Sequence, residues 1–518
     1  YETDNTCSLA RPLQINGTPQ PHTLTSSGAQ PVDEDWTLLT LDQNGEFTVL
    51  AQVQEDGMPI QLALYHACGS DVWMTTTSSV DGSARITFTG TMGSVVYARI
   101  QPNSATAPQA AGYSLSAYKT RRPGVAVIAA GHMPSNPALD EQIDQVAGRA
   151  YLTLLAHGYT TSTVYFLSSN ATQDVNQDGN NDVDTALSTQ AIQYAVEEWP
   201  RTLPPEQTST FLLFVIGQGE SGQFHAAEGQ LLVPANLDLW LTNLENARDL
   251  AQIAVVLEMN QAGLWIHSGS VSDQAIQANA ALMKTATLAG KNRIILTATH
   301  DQGAAWYTPV GALFSDIFWT ALDQGASIWE GAERARLINE QLNYHCQPLT
   351  TLCQIVWLDD DGDASANEPT DGAVAHQWRL PPFTTPTEPF IQQVQIQPTS
   401  KSASEIKATL LRVDPQTTVE AHILPPTYTV ALPTNGSPPM FAHPIIRLTA
   451  SQPPEPGSDP AHPTIYSGVY DSFTQIGHYQ VVVYAWNGKK ATALPKVVNF
   501  TVGSTLYLPL ITVTSRTR

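Results

Sequence analysis

The chain has 518 residues, too many for one hydrophobic core, which predicts two to four domains. Hydrophobic residues make up 42% and charged residues 14%, a balance that excludes a disordered protein and argues against long coiled coils. The formal net charge of -23 would repel nucleic-acid phosphates and anionic lipids, so we expect no nucleic-acid partner.

Residues 1–120 predict a small β-sandwich. Short alternating runs, such as 46–53 and 84–89, are separated by turns rich in Gly, Asn and Asp. The acidic triplet Asp33-Glu34-Asp35 is interpreted as an exposed turn. No catalytic constellation is visible in this segment.

Residues 121–384 show the pattern of an α/β domain. Its central strands are predicted by four apolar runs, which begin at Val125, Phe211, Ile253 and Arg293. Between these runs, segments 139–157 and 185–199 carry apolar residues at helical spacing. We therefore expect a mostly parallel sheet with helices on both faces.

Residues 385–518 return to a β pattern. Prolines crowd the chain from about Pro381, and alternation resumes in 391–396 and 479–486. The pattern predicts an immunoglobulin-like β-sandwich. The whole chain is thus predicted to be a multi-domain protein with an α/β domain between two sandwiches.

At two strand ends in the central segment, a residue with an amide side chain lies near one or more glycines. The first reads Leu213-Phe-Val-Ile-Gly-Gln218-Gly-Glu-Ser-Gly222, and the second reads Val255-Val-Leu-Glu-Met-Asn260-Gln-Ala262-Gly263. Together they resemble the catalytic strands of the legumain-like cysteine peptidases, which have the caspase fold. In that family a His-Gly pair ends one strand, and an acid-x-Cys-x-Ser-Gly pattern ends the next. Gln218 stands at the His position, Asn260 at the Cys position and Ala262 at the Ser position.

The resemblance implies a pseudoenzyme. A cysteine peptidase needs an imidazole that holds the thiolate and protonates the leaving amine. Amides such as those of Gln218 and Asn260 neither titrate near neutral pH nor supply a useful nucleophile. Because the His, Cys and Ser positions have all changed, to Gln218, Asn260 and Ala262, natural loss of activity is favoured over an engineered inactivation.

The flanking segments carry looser resemblances. The run Asp33-Glu-Asp-Trp36 with Gly112-Tyr113-Ser-Leu-Ser is similar to the pre-peptidase C-terminal domain, an accessory module of secreted bacterial hydrolases. The runs Asp471-Ser-Phe473 and Gly477-His-Tyr479 are similar to the module that follows such peptidase domains. These resemblances imply an exported bacterial protein, with an unrelated sandwich as the alternative for the first domain.

Two acidic loops predict calcium sites. The loop 174–184 follows the DxNxDG pattern, in which alternate oxygen side chains converge on one cation and Gly permits the sharp turn. Its predicted ligands are Asp174, Asn176, Asp178, Asp182 and Asp184. Thr185 occupies the twelfth loop position, where such loops carry Glu, so Asp182 or Asp184 would have to close the site. A solvated acidic turn without metal is the alternative.

The second acidic loop contains Asp359, Asp361 and Asp363. Their carboxylates repel one another unless a cation screens them. The loop also resembles the Asp-rich stretch of the legumain-like family. Calcium is therefore the predicted cofactor at both loops.

The four cysteines are Cys7, Cys68, Cys346 and Cys353. They fit no CxxC or Cys/His metal spacing, so two disulfides are predicted. Cys346 and Cys353 are close enough in sequence to staple a loop, which leaves Cys7 and Cys68 as the second pair. Disulfides favour an exported protein, although the sequence shows no export signal and no run of the roughly 20 apolar residues that a membrane helix requires.

Three functions are consistent with these features. The first is a non-catalytic structural protein of the cell surface that assembles with itself, as a homo-oligomer, or with other surface proteins. The second is a pseudopeptidase that binds peptide or protein ligands in the old cleft. The third is an active secreted hydrolase of the cysteine-peptidase family, which would need a nucleophile that the motifs do not supply.

Overall fold

The structure is a computed structural model. It describes residues 4–25, 33–53, 60–77, 83–103, 110–120, 123–133, 136–205, 208–266, 287–308, 310–342, 353–381, 388–400, 402–428, 443–454, 462–488 and 492–503. The chain is multi-domain and mostly β, with one α/β region built on a parallel sheet.

The first part of the chain forms two sheets that share one core. Its strands are β1 (Arg11–Pro12), β2 (Gln20–Thr25), β3 (Asp35–Thr40), β4 (Gly45–Val53), β5 (Ile60–Tyr65), β6 (Met74–Thr77), β7 (Ser83–Gly90), β8 (Val95–Pro102) and β9 (Ala110–Lys119). One sheet has the order β1-β3-β8-β5-β6 and the other β2-β9-β4-β7. Alternate side chains of both sheets, such as Phe47 and Leu62, fill the space between them.

The predicted exposed turn at Asp33-Glu34-Asp35 is wrong for its last residue. Asp35 begins β3 and is only 3% exposed. Its carboxylate accepts a hydrogen bond of 2.6 Å from the Tyr113 hydroxyl, which lies on β9 of the facing sheet. The local acidic composition did not reveal this partner, because it is 78 residues away.

The α/β region contains the second set of elements. They are β10 (Val125–Ala130), α1 (Pro137–Ala156), β11 (Val164–Ser168), β12 (Thr185–Ala186), α2 (Thr189–Gln193), α3 (Trp199–Thr202), β13 (Thr210–Ile216), β14 (Gly219–Glu220), β15 (Gln223–Ala227), β16 (Gln230–Leu232), α4 (Pro234–Ala247), β17 (Gln252–Glu258), β18 (Arg293–Thr297), β19 (Tyr307–Thr308), β20 (Gly311–Ala312), α5 (Leu313–Asp323), α6 (Ile328–Leu342) and β21 (Trp357–Asp359). A π-helical turn covers Tyr194–Glu198, and 3-10 turns cover Ala262–Trp265 and Ala375–Gln377.

The main sheet of this region has the order β12-β11-β10-β13-β17-β18-β21. Its strands are parallel except for β21, which pairs antiparallel with β18. Helices cover both faces, so neighbouring residues of one strand enter different cores: Phe214 faces one core and Leu213 the other. Burial on both faces explains why these strands read as continuous apolar runs in the sequence.

The helix predicted over 139–157 corresponds to α1, but the one predicted over 185–199 begins later. Thr185 and Ala186 instead form β12, the edge strand beside β11. The Ser188 side chain accepts a hydrogen bond from the Ala191 amide, which marks it as the N-cap of α2.

The last part of the chain forms β22 (Phe390–Pro398), β23 (Ser404–Leu411), β24 (Thr418–Leu424), β25 (Ile445–Ala450), β26 (Thr464–Tyr470), β27 (Gly477–Trp486) and β28 (Lys496–Val502). The order is β22-β23-β26-β25-β24-β27-β28. Strand β25 pairs with β24 over its first four residues and with β26 over its last two, so it joins two half-sheets into one curved, near-barrel sheet. Numbered from β22, the halves have the strand orders 1-2-5-4 and 3-6-7, those of the constant-type immunoglobulin sandwich.

Helix α6 contacts both β regions. Arg334 donates to the Gln52 side chain at 3.1 Å, and Gln480 donates to the Gln341 carbonyl at 2.8 Å. Tyr428, just after β24, is buried in the core of the α/β region. Among the described residues, no helix is both long and apolar enough to span a membrane.

Candidate functional site

The carboxyl ends of the parallel strands meet at one edge of the sheet, where ligands bind in open α/β sheets. His132 follows β10, Gln218 follows β13, Asn260 follows β17 and His300 follows β18. This edge contains Gln218 and Asn260, the two positions that the sequence analysis predicted for a degenerate dyad. It is the candidate active-site edge of the domain.

The structure brings the Gln218 and Asn260 segments together. Ile216 pairs with Glu258 in register, and the Gly217 amide donates to the Glu258 carbonyl at 3.2 Å. Gly219 packs directly against the second segment, since a Cβ atom there would lie 2.4 Å from the Asn260 carbonyl oxygen. Both amide side chains are half-buried at this edge.

The Asn260 side chain makes a structural hydrogen bond. Its Oδ1 accepts from the Ala305 amide at 2.9 Å. Next to it, the Thr299 hydroxyl donates to the Met259 carbonyl and accepts from the Ala262 amide, each at 2.9 Å. These bonds fasten the end of β17 to the loop after β18, so Asn260 positions backbone.

Three histidines near this edge are paired with carboxylates. His132 lies 2.7 Å from Asp140 on α1, and His300 lies 3.1 Å from Asp301. His225 lies 3.6 Å from Glu220 on the small hairpin after β13. Such pairs can orient an imidazole, but a cysteine peptidase also needs a thiol, and the described part of the chain has no free cysteine.

The sequence analysis did not predict that His300 lies at this edge of the sheet. It lies in the loop after β18 and is packed near the Trp357 ring, with centroids 6.1 Å apart. The signal was available, because every residue that follows a parallel strand lies at the same edge.

Glu258 is the buried acid of the second motif. It is 0% exposed and accepts hydrogen bonds from the Phe314 and Ser315 amides at 3.3 and 2.9 Å, in the first turn of α5. Gln354 donates to the same carboxylate at 3.4 Å. Burial raises the pKa of Glu258 to about 7. The residue links the candidate edge to the N-terminus of a core helix.

The first acidic loop is closed by its own backbone. Asp174 accepts hydrogen bonds from the Asp178 and Gly179 amides, and Asp182 accepts from the Val175 and Asn176 amides. Asp182 also accepts from the Tyr151 hydroxyl at 2.9 Å.

Asp184 turns away from this loop, because its carboxylate accepts from the Phe166 amide on β11 at 2.8 Å. Of the two candidates for the closing ligand, Asp182 is therefore the one that faces the loop.

In the second acidic loop the predicted ligands lie closer together than in the first. One carboxylate oxygen from each of Asp359, Asp361 and Asp363 lies within 4.8 Å of the others. Asp359 is buried and accepts from the Gly362 and Ala364 amides, and burial raises the pKa of its carboxyl.

Asp360, one residue away, has a different role that the sequence did not reveal. It is 1% exposed, and its carboxylate accepts from the backbone amides of Gly372, Val374 and Ala375. It is an internal cap for the 3-10 turn at the end of the domain.

We expect calcium to raise the thermal midpoint of the chain through the second loop. A ligand present at ten times its dissociation constant, and bound only by the folded state, stabilises by about 1.4 kcal/mol. Scanning calorimetry with calcium and with a chelator, at constant ionic strength, measures the shift.

The double variant Asp361→Asn/Asp363→Asn should abolish most of this shift, whereas Asp174→Asn should remove only the part due to the first loop. An identical calcium response in the wild-type chain and the double variant would contradict the assignment.

Cys7 and Cys68 are joined by a disulfide, with Cα atoms 5.5 Å apart. Cys353 is buried and disulfide-bonded. Cys346, its predicted partner, lies outside the described residues, so the second predicted pairing stays a prediction.

No protein-family description matches the chain, and no curated protein matches it. Among solved structures, caspase-1 from Spodoptera frugiperda is 11% identical, with a match over 46% of this chain and 89% of that one and a TM-score of 0.30. The pre-peptidase C-terminal domain of a Bacillus anthracis collagenase is 13% identical over 21% and 93% of the two chains, with a TM-score of 0.17. CorA, a surface-associated copper-binding protein of Methylomicrobium album BG8, is 10% identical over 21% and 98%, also with a TM-score of 0.17. Likenesses of this size assign neither a family nor an activity.

Proposed function

We propose that the chain is a non-catalytic extracellular or cell-surface protein built on a degenerate legumain-like peptidase domain. In this proposal the α/β domain is a structural scaffold, and the protein assembles with itself or with other surface proteins. The observation that carries the proposal is the hydrogen bond between Asn260 Oδ1 and the Ala305 amide, because the side chain at the nucleophile position organises backbone there.

The chemistry at the edge supports the loss of catalysis. The amides of Gln218 and Asn260 cannot form a thiolate–imidazole pair, and the described cysteines are disulfide-bonded. The His132–Asp140 pair would orient an imidazole, but imidazole alone does not form the acyl-enzyme of a cysteine peptidase.

The packing supports a scaffold role and export. Helix α6 is bonded to both β regions through Arg334 and Gln341. The Cys7–Cys68 disulfide is typical of proteins that mature in an oxidising compartment. A multi-domain chain whose central helix contacts both β regions suits a surface component.

Purified protein is expected to show no cleavage of asparaginyl, aspartyl or arginyl peptides and no labelling by thiol-directed peptidase probes. An active caspase-fold peptidase, assayed in parallel, is the positive control. Proteolysis that disappears in the variants Gln218→Ala and Asn260→Ala would overturn the proposal in favour of an active hydrolase.

Electron microscopy of native material tests the structural half of the proposal, which predicts regular assemblies. A monodisperse monomer that binds peptides, and loses them on substitution of Gln218, would support the peptide-binding alternative instead.

A further inference from the structure

Three titratable side chains from distant parts of the sequence meet inside the first β region. Asp4 lies before β1, His22 is on β2 and Asp35 begins β3. They are 0%, 4% and 3% exposed. One donor atom from each lies within 4.8 Å of the other two, so the three side chains surround one point between the sheets.

Tyr113 on β9 holds two of these side chains in place. Its hydroxyl donates to Asp35 Oδ2 at 2.6 Å, and its ring stacks on the His22 imidazole with centroids 5.2 Å apart. His22 Nδ1 lies 4.0 Å from Asp35 Oδ2. The imidazole and the carboxylate are therefore oriented toward each other before any ligand arrives.

Asp4 is the member that ordinary packing does not explain. Within the described part of the chain, both of its carboxylate oxygens are buried and have no hydrogen-bond partner. Its backbone carbonyl accepts from the Trp36 amide at 3.1 Å, which fixes the residue beside the start of β3. An unpaired buried carboxylate costs several kcal/mol unless a cation or a proton neutralises it.

We propose that Asp4, His22 and Asp35 bind one divalent transition-metal ion of the zinc class. Imidazole nitrogen together with carboxylate oxygen is a donor set that suits zinc and its neighbours. Calcium prefers six to eight oxygen ligands, and this site offers a nitrogen and few oxygens. Three protein ligands leave a fourth tetrahedral position open.

The geometry needs only small side-chain movements. Ligand atoms around a tetrahedral zinc ion with bonds of about 2.0 Å lie roughly 3.3 Å apart. The three donor atoms already lie within 4.8 Å of one another. The hydroxyl of Tyr113 would remain on Asp35 as an outer hydrogen bond, as is usual for carboxylate ligands of metals.

Titration calorimetry of the full chain, stripped with a chelator and then supplied with zinc, tests the proposal. We expect one site per chain. Asp4→Asn and His22→Gln should each weaken zinc binding at least about 10-fold, since loss of a metal contact costs about this much or more. The matched control is Asp361→Asn/Asp363→Asn, which alters the acidic loop that begins at Asp359 and should leave this zinc affinity unchanged.

Cobalt provides a readout that does not depend on variants that fold poorly. Cobalt bound to the wild-type chain should show the strong visible absorption of a tetrahedral site, and zinc should displace it. The proposal is overturned if neither metal binds stoichiometrically, or if binding survives both Asp4→Asn and His22→Gln. It is also overturned if Asp4→Asn raises the thermal midpoint equally with and without zinc, because the buried carboxyl is then neutralised by a proton.

Discussion

Replacing Arg379 with Met is expected to lower the free energy of unfolding by about 3 to 5 kcal/mol, because it leaves the largely buried carboxylate of Glu330 without its cation. Arg379 is 6% exposed, and its guanidinium nitrogens lie 2.6 and 2.9 Å from the two carboxylate oxygens of Glu330. It also donates to the Gly325 carbonyl at 2.7 Å and covers the Tyr118 ring of the first β region. The Arg379 side chain thus neutralises a largely buried charge and contacts a neighbouring domain.

Glu330 belongs to the capping box of α6. Its carboxylate accepts from the Ser327 amide at 2.8 Å, and its own amide donates to the Ser327 hydroxyl at 3.1 Å. Burial alone would raise the pKa of Glu330, but the charge and hydrogen bonds of Arg379 lower it from 4.5 to about 2. A lowered carboxyl pKa stabilises the fold above 4.5, and this contribution is lost as the pH falls toward 2. Arg379→Met should remove this acid-dependent contribution as well.

Urea unfolding of the full chain measures the loss, with Arg336→Met as the matched control on the same helix. Arg336 pairs with Glu333 and Glu340, but its side chain is 34% exposed, so its removal should cost no more than about 1 kcal/mol. The double variant Glu330→Gln/Arg379→Met should recover part of the stability. Equal losses for Arg379→Met and Arg336→Met would contradict the assignment.

The strands of the central sheet could be predicted because burial on both faces leaves a direct mark in the sequence. Phe211 to Ile216 is a continuous apolar run, and every residue of it is buried. The antiparallel edge strand β21 could not be found this way. It has only three residues, Trp357–Asp359, and its last residue already belongs to the acidic loop.

At the candidate sites, local sequence patterns predict the role of individual residues even less well than they predict the strands. Asp359, Asp360 and Asp361 are chemically identical neighbours, yet Asp360 caps a buried turn while Asp361 is exposed. Only tertiary packing distinguishes them. Tertiary packing also brings Asp4 and His22 together. No spacing rule in the sequence predicts a contact between residues that meet only when separate segments pack against each other.

Lowering the pH is expected to stabilise the wild-type chain relative to Glu258→Gln. Between about pH 8 and about pH 5 the difference in unfolding free energy should change by about 2 to 3 kcal/mol in favour of the wild type. The reason is burial, which raises the pKa of Glu258 from 4.5 to about 7. Between these two values the folded chain holds a proton that the unfolded chain has released.

The direction of this pH dependence of stability follows from the difference in protons bound by the folded and unfolded chains. A carboxyl whose pKa is raised by folding contributes stability that is fully present below 4.5 and is lost as the pH rises through about 7. Glu330 acts in the opposite sense but in a lower window, between about 2 and 4.5, so it does not mask the effect. The pKa values of buried His422 and half-buried His443 are lowered by desolvation, and these residues contribute equally to both chains.

Chemical unfolding of both chains at several pH values measures this difference, and Glu228→Gln, on an exposed turn, is the control. The control should differ from the wild type by the same small amount at every pH. Above about pH 7 the ionised Glu258 still caps the first turn of α5 through the Phe314 and Ser315 amides, so the wild type should not unfold there. A pH-independent difference between the wild type and Glu258→Gln would show that Glu258 keeps its charge throughout. The carboxylate would then be a permanent helix cap, with no proton taken up between pH 8 and 5.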